Sequence, residues 1–345
     1  MSATWSLARV DDLLRSRNSV HHAVAVTESA DGSRRHAVTM GRASVDDRFI
    51  TASISKLFVH AIAYALVDRC ILTLDQPAAQ WVGADALRGI HTIKGRDYSA
   101  DITLRHLLTH TSGLPNLETA SVDGAPSIEK QVLQRDREVP LAEVMDLHRR
   151  VPGKFPPGSG RWAHYSDTNA DLLALILERA TGTSYDQLLS DFILEPLSLR
   201  RTGLVHADTS DTAPVFRRRR PVTFTRYLAS QPGSGGIAAS AMDLMVFLRA
   251  FMEGTLFSRE HLTDPDWRRT QYGPLEYGPG VMRLAGPRLM SRFFFPAPAI
   301  VGHSGSTGSF AFYCPSYETF IVGTVNQMSG VPFEYVYRYL NAFAR

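Results

Sequence analysis

Strand patterns crowd the two ends of this chain, and helical patterns fill the span between them. HHAVAVTES (21–29) and RRHAVTMGR (34–42) read as two strands joined by the turn pair Asp31-Gly32. Further strand patterns come in the last third, at 279–284, 308–313 and 319–325, before a closing helical stretch at 332–344. Helical period marks 5–17 at the start, then 103–110, 140–150, 169–182, 184–193 and 238–254. The 169–182 stretch is well bounded: Asp167 or Asn169 can cap its start and Gly182 can end it. Strands so far apart along the chain share a sheet only if the chain leaves it and returns. The expected fold is α/β (α+β): an antiparallel sheet formed from both termini and flanked by helices, with an inserted, mostly helical lobe. Residues 1–80 and 200–345 would then form the sheet-bearing domain and 81–199 the helical lobe, with an active site between them. There is no internal repeat or low-complexity tract.

A chain of 345 residues, 44% hydrophobic, can bury a sizeable core. Its net charge of +3 is too mild to imply a nucleic-acid partner. The N-terminal MSATWSLARVDDLL lacks the basic and apolar regions of a signal peptide. The longest apolar run, Leu57 to Val67, is broken by His60 and too short to span a bilayer. These features lead us to expect a soluble, cytoplasmic protein with no membrane or nucleic-acid partner; they do not fix an oligomeric state. Cys70, in an apolar helical run, and Cys314, in a strand-like run, read as two buried free thiols. Neither belongs to a disulfide framework or a metal motif, and no metal or cofactor is expected.

Only four of the 37 basic residues are lysines: Lys56, Lys94, Lys130 and Lys154. One of them ends the motif Ser53-Ile54-Ser55-Lys56, which follows the strand-like RFIT and opens an apolar helix. Leu57, Ile62, Ala65 and Leu66 are candidates for the buried side of that helix. A three-residue offset places Ser53 and Lys56 on one helix face. The helix dipole and burial both disfavour an ammonium there, pushing Lys56 toward an amine that can take the serine proton. Arginine does not deprotonate and could not serve. The spacing recurs at Ser127-Ile128-Glu129-Lys130, but in a polar loop with no preceding strand and no apolar helix behind it.

Two later segments complete the pattern. Tyr165-Ser166-Asp167 lies between the Pro/Gly loop 152–161 and the 169–182 helix, where a phenol could relay protons. Val301-Gly302-His303-Ser304-Gly305-Ser306-Thr307-Gly308 is rich in small residues that would let a strand edge approach a ligand. A backbone N–H there could pair with that of Ser53 in an oxyanion hole.

In this order, the elements resemble the serine β-lactamase-like superfamily, within it the class C β-lactamase, DD-carboxypeptidase and family VIII esterase branch. LTLDQPAAQWV (72–82), ITLRHLLTHTSGLP (102–115), FILEPLSL (192–199) and SGGIAASAMDLMVFL (234–248) are similar as well. The resemblance covers roughly residues 40–345. It implies a β-lactamase/transpeptidase-like fold, Ser53 as nucleophile, Lys56 as its base or electrostatic partner, and Tyr165 as second proton carrier. It implies that His303, Ser304 and Gly305 line the strand-side wall, with the Ser53 and Ser306 N–H groups as oxyanion hole. Two positions depart from the lactamase pattern. Asp167 stands in place of Asn; a carboxylate there would hold Lys56 charged and shift proton abstraction toward Tyr165. His303 stands in place of Lys, and a neutral imidazole grips a substrate carboxylate poorly. Both departures favour ester, amide or acyl-transfer substrates over β-lactams.

The expected activity is a metal-free serine hydrolase acting on a small-molecule acyl substrate, an ester or amide, through an acyl-enzyme. An acyltransferase using the same Ser-Lys-Tyr site is the nearest alternative. A non-catalytic penicillin-binding-like scaffold or sensor is more distant. His106 and His110, spaced i,i+4, lack a third ligand and read as structural. Residues 207–235, with Arg217 to Arg220, read as a solvated surface excursion. No GxSxG motif is present for an α/β-hydrolase elbow.

Overall fold

The computed structural model describes residues 6–263, 265–284, 297–328, 330 and 332–344; residue 5, at the edge of the first helical pattern, lies outside them. Eight strands form one antiparallel sheet: β1 Ala23–Ser29, β2 Arg35–Met40, β3 Arg268–Arg269, β4 Leu275–Tyr277, β5 Met282–Leu284, β6 Ile300–Ser304, β7 Ser309–Cys314 and β8 Thr319–Thr324. Their order is β3-β4-β5-β6-β7-β8-β1-β2, so the first hairpin joins the last strand directly, with Val24 opposite Thr324 and Ser29 opposite Thr319. The expected antiparallel sheet built from both termini is present. The short strands β3 and β4 carry too few residues for alternation to register in the sequence.

Side-chain alternation explains how the sheet is covered on both faces. Ala23, Ala25, Phe310, Phe312 and Ile321 point one way, onto α1 (Leu7–Ser16) and the last helix. Val24, Val26, Ala311, Phe320 and Val322 point the other way, into the main core. That core centres on α2 (Ser55–Asp68), whose residues Ser55 through Leu66 are all buried. Its mates are α3 (Leu104–Leu108), α6 (Asp167–Thr181) and α8 (Ala241–Glu253), while α4 (Ile128–Gln134), α5 (Leu141–His148) and α7 (Thr225–Ala229) lie over a separate apolar cluster and α9 (Phe333–Phe343) closes the chain. The expected single buried side of α2 is therefore corrected: a helix apolar all round is a central one. Phe58 of α2 stacks on Phe247 of α8 with ring centres 3.6 Å apart. Each such buried ring contributes about 1.5–3 kcal/mol. Gly182, left-handed at φ 70°, ends α6 as expected.

Other expectations change. Cys70 is exposed, because the chain turns out of α2 just before it; Cys314 is buried in β7. Ser127 is not in an open loop but stands at the start of α4, where it is buried while Lys130 is exposed. The 207–235 segment is only partly a surface excursion. Arg217 to Arg220 form a solvated hairpin tip, but Phe224, Tyr227, Leu228 and Ser234 return to the interior. α3 stops at Leu108 and His110 is left-handed at φ 54°, so His106 and His110 do not share a helix face. No helix among the described residues is long and apolar enough to cross a membrane.

Candidate active site

Ser53 sits in a single 3₁₀ turn, Ala52–Ile54, that leads into α2. A two-residue strand, Phe49–Ile50, feeds this turn and pairs with Ile237–Ala239. Ala52 is left-handed at φ 47°, an uncommon conformation for a residue with a side chain and one that sequence does not reveal. Four side-chain contacts fix the turn. Thr51 Oγ1 donates to Ile237 O at 2.7 Å, and Ser55 Oγ accepts from Ile237 N at 3.1 Å. From the sheet side, Thr307 Oγ1 donates to Ile50 O at 2.9 Å and Ser309 Oγ to Thr51 O at 2.7 Å. The turn after β6 is thereby tied to the turn that carries Ser53. Gly305 is required at this junction: a Cβ there would lie 2.2 Å from Ser309 Oγ and 2.4 Å from Thr51 O.

Lys56 is fully buried, and its three donors meet three acceptors: Ser53 Oγ at 3.1 Å, Asp167 Oδ1 at 2.5 Å and Ser234 O at 2.8 Å. Asp167 begins α6, and Ser166, not Asp167, occupies the cap position. The ion pair between Lys56 and Asp167 is what a carboxylate at 167 leads one to expect, in place of the free amine that the helix dipole and burial alone would favour. Burial pushes the Asp167 carboxyl up, but the Lys56 charge and hydrogen bonds from Glu118, Lys56 and Asn116 outweigh it and leave it below the usual range.

The Tyr165 ring lies 5.0 Å from Lys56 Nζ and stacks on His110 at 4.5 Å. His110 is held in turn, its Nδ1 accepting from Ser166 N at 3.2 Å and from Asn169 Nδ2 at 2.8 Å. That supports its structural reading. The Tyr165 hydroxyl faces Ser53 but makes no hydrogen bond of normal length among the described residues. Burial, reinforced by the Asp167 charge, holds the phenol well above its ordinary pKa. Tyr165 therefore stays protonated, which weighs against the expected shift of proton abstraction toward Tyr165.

His303 departs from expectation. Its side chain is fully buried, packed between Tyr165 and Tyr277 at 5.9 and 5.8 Å, and does not line the cleft. Alternation along β6 turns Ser304 toward the cleft and His303 behind it. Burial drives its imidazole pKa down to about 3, with the Lys56 charge adding to the effect, so it is neutral.

The cleft has a volume of about 300 Å³ and is bounded by Ser53, Tyr165, Asp167, Ser304, Gly305 and Ser306, together with Glu118 and Glu129. Its described lining carries no basic side chain. Glu118 is the residue that sequence reading missed. Nothing in its loop, LPNLETA, distinguishes this glutamate from a surface one. Burial and the Asp167 charge raise its carboxyl well above the usual range, so it holds a proton and shares it with Asp167. No group of three or more metal-binding side chains occurs among the described residues.

The Beta-lactamase family model matches residues 10–344. Esterase EstB of Burkholderia gladioli is 28% identical over 262 residues, covering 66% of this chain and 62% of the esterase. The chain thus spans less than two thirds of that relative's length. A D-stereospecific amidohydrolase from Streptomyces sp. superposes with a TM-score of 0.76 at 22% identity, covering 96% of this chain and 97% of that one. EstCE1, described as a hydrolase with promiscuous acyltransferase activity, gives a TM-score of 0.79 at 19% identity, with 98% of each chain covered. At these identities the two structures bear on the fold, which is that of a β-lactamase/transpeptidase-like protein.

Proposed function

Because this chain belongs to the Beta-lactamase family, we propose that it is a serine hydrolase acting on small esters or amides through a covalent acyl-enzyme. One observation carries the reading: Lys56 Nζ donates to Ser53 Oγ at 3.1 Å while held against Asp167 at 2.5 Å. Ser53 attacks the substrate carbonyl as Lys56 takes its proton and passes one of its own to Asp167. The pair thus acts as a shuttle rather than as a free amine. The oxyanion that forms is met by the N–H groups of Ser53, at the start of its helix, and Ser306, in the turn after β6. Tyr165, held neutral, is the proton donor that the leaving group meets. We place the cleft between the sheet-bearing part, 1–80 with 200–345, and the helical part, 81–199.

Charge guides the choice of substrate. Glu129 lines the cleft, Glu118 beside it holds its proton, Asp167 cancels Lys56, and His303 is neutral and hidden. Among the described residues the cleft offers no basic side chain to a substrate carboxylate such as that of a β-lactam, and a neutral or cationic ester or amide suits it better. An alcohol or amine in place of water would give acyl transfer from the same intermediate. Intact-protein mass spectrometry after exposure to a panel of esters, amides and β-lactams tests the reading. An acyl adduct lost in Ser53→Ala supports it; a panel that never labels the folded protein favours the scaffold or sensor alternative.

A further inference from the structure

A second hollow, of about 20 Å³, is shaped by Ser53, Glu118, Tyr227, Gln231, Ser234 and Ser306. Three of these residues, Ser53, Glu118 and Ser306, also line the main cleft, so the two spaces adjoin. Room for roughly 10–15 Å³ of probe volume suffices for one water, provided that two to four polar groups surround it. Gln231 and Ser234 already have partners: Gln231 Nε2 donates to Val139 O at 2.7 Å, and Ser234 O accepts from Lys56. Glu118, Tyr227, Ser306 and the side-chain oxygen of Gln231 are the polar groups that border the rest of the hollow and can hold a guest.

We propose that this hollow seats the water that hydrolyses the acyl-enzyme, and that Glu118 takes that water's proton. The inference rests on the reading of Ser53 as the acylated residue. Its strength is connectivity. Glu118 and Asp167 line the same cleft and their carboxyls interact, Asp167 meets Lys56 at 2.5 Å, and Lys56 meets Ser53 Oγ at 3.1 Å. A proton path therefore runs from the hollow to the oxygen that must leave. The water oxygen bonds to the acyl carbon, and its O–H bond breaks. The released proton goes to the free oxygen of Glu118 as Glu118 passes its own proton to Asp167. The tetrahedral oxyanion then collapses. The bond between the acyl carbon and Ser53 Oγ breaks, Oγ takes a proton from the Lys56 ammonium, and Lys56 recovers one from Asp167. The products are the free acid and the Ser53 hydroxyl, and Glu118, Asp167 and Lys56 end as they began. The charged and titratable groups facing Glu118 are Asp167 on α6, Lys56 on α2, Glu129 on α4, Tyr227 on α7 and Tyr165 in the loop before α6.

The test is Glu118→Gln with p-nitrophenyl butyrate. The amide can donate to Asp167 but cannot take a proton. We expect a burst of p-nitrophenol of about one equivalent, at a rate within a few-fold of wild type, followed by steady turnover slowed about 10²-fold or more. Mass spectrometry should then show butyrylated Ser53 accumulating, and hydroxylamine, which needs no base, should restore release. Tyr227→Phe, a gentler change, should keep the burst and slow the steady phase about tenfold; it serves as the test if Glu118→Gln does not fold. Unchanged steady turnover in the folded variant, or equal slowing of burst and steady phases, overturns the assignment. If wild-type Ser53 never acquires the butyryl group, the acyl-enzyme reading itself fails, which is a separate result.

Discussion

Asp171 offers a test of how the site is held. It lies one turn after Asp167 on α6, and its Oδ1 accepts from Gly233 N at 3.1 Å and Ser234 N at 3.0 Å. That carboxyl positions the segment whose Ser234 carbonyl accepts from Lys56. Burial is the main force on Asp171, and Asp167 adds to it; hydrogen bonds from Ser234 and the Lys56 charge oppose it, and its pKa rises from 3.8 to about 7. The shift is about three units, each worth about 1.4 kcal/mol, or about 4 kcal/mol in all. A raised pKa means that the folded state binds the proton more tightly than the unfolded one. The stabilising contribution is complete below about pH 4 and is lost as pH rises through about 7. At pH 8 the native state thus carries an ionised, buried Asp171. Asp171→Asn keeps an oxygen for both N–H groups and cannot ionise. It should leave stability nearly unchanged at pH 4 and raise it by several kcal/mol at pH 8. Urea denaturation of both proteins across that range gives the difference, which cancels every other titrating group. A difference that stays flat from pH 4 to 8, or that favours the wild type at pH 8, refutes the reasoning.

Four further outcomes follow from the same geometry. Lys56→Arg should lower the acylation rate about 10³-fold in a folded protein, since a guanidinium does not shuttle protons; rapid-mixing kinetics measures it. His60, near 4, and His148 and His303, near 3, are buried and neutral. Their pKa values lie below the unfolded value, so their contribution is present above pH 6.5 and lost as pH falls; His303→Phe should flatten the decline of the thermal midpoint below pH 6.5, and a steeper decline would contradict this. Gly305→Ala should cost about 1–3 kcal/mol by overpacking and slow acylation, because the new methyl meets Ser309 Oγ and Thr51 O; calorimetry and burst kinetics both report it. Among esters with the same leaving group, those with a neutral or cationic acyl chain should show higher kcat/KM than a carboxylate-bearing one, and the reverse order would count against the acidic cleft.

The sequence carried the frame of the site because the frame depends on local rules. The serine-to-lysine offset is fixed by helix geometry once the turn before α2 is made. The spans of β1, β2, β7 and β8 follow from alternation against two apolar layers. Tyr165 and Asp167 fall at a loop-to-helix junction that the Pro/Gly loop and the α6 pattern define. What was not legible depends on tertiary placement. His303 and Ser304 are neighbours in sequence, and only the register of β6 decides which one faces the cleft. Ala52 adopts a left-handed conformation because Thr307 and Ser309 bolt the sheet to its neighbours, not because of its own chemistry. Glu118 sits in a turn-rich segment with no periodicity, and its role depends on Asp167, which is 49 positions later in the chain.

That last dependence explains why the aspartate at 167 changes more than the state of Lys56. An amide at this position could accept from Lys56 but could not bind an added proton at neutral pH. A carboxylate can, and this turns the Lys56 contact at 2.5 Å from a fixed dipole into a place to store a proton. Burial, with the carboxylate at 167 beside it, keeps the neighbouring Glu118 protonated, because two adjacent carboxylates facing one ammonium cannot both ionise cheaply. The site therefore holds two carboxyl groups, one proton between them and one balancing cation. In acylation Asp167 can store the proton that leaves Ser53. In deacylation the pair can store the proton that leaves water and return one to Ser53 through Lys56. The same store works in both directions, so neither half-reaction needs His303, which lies neutral behind Tyr165.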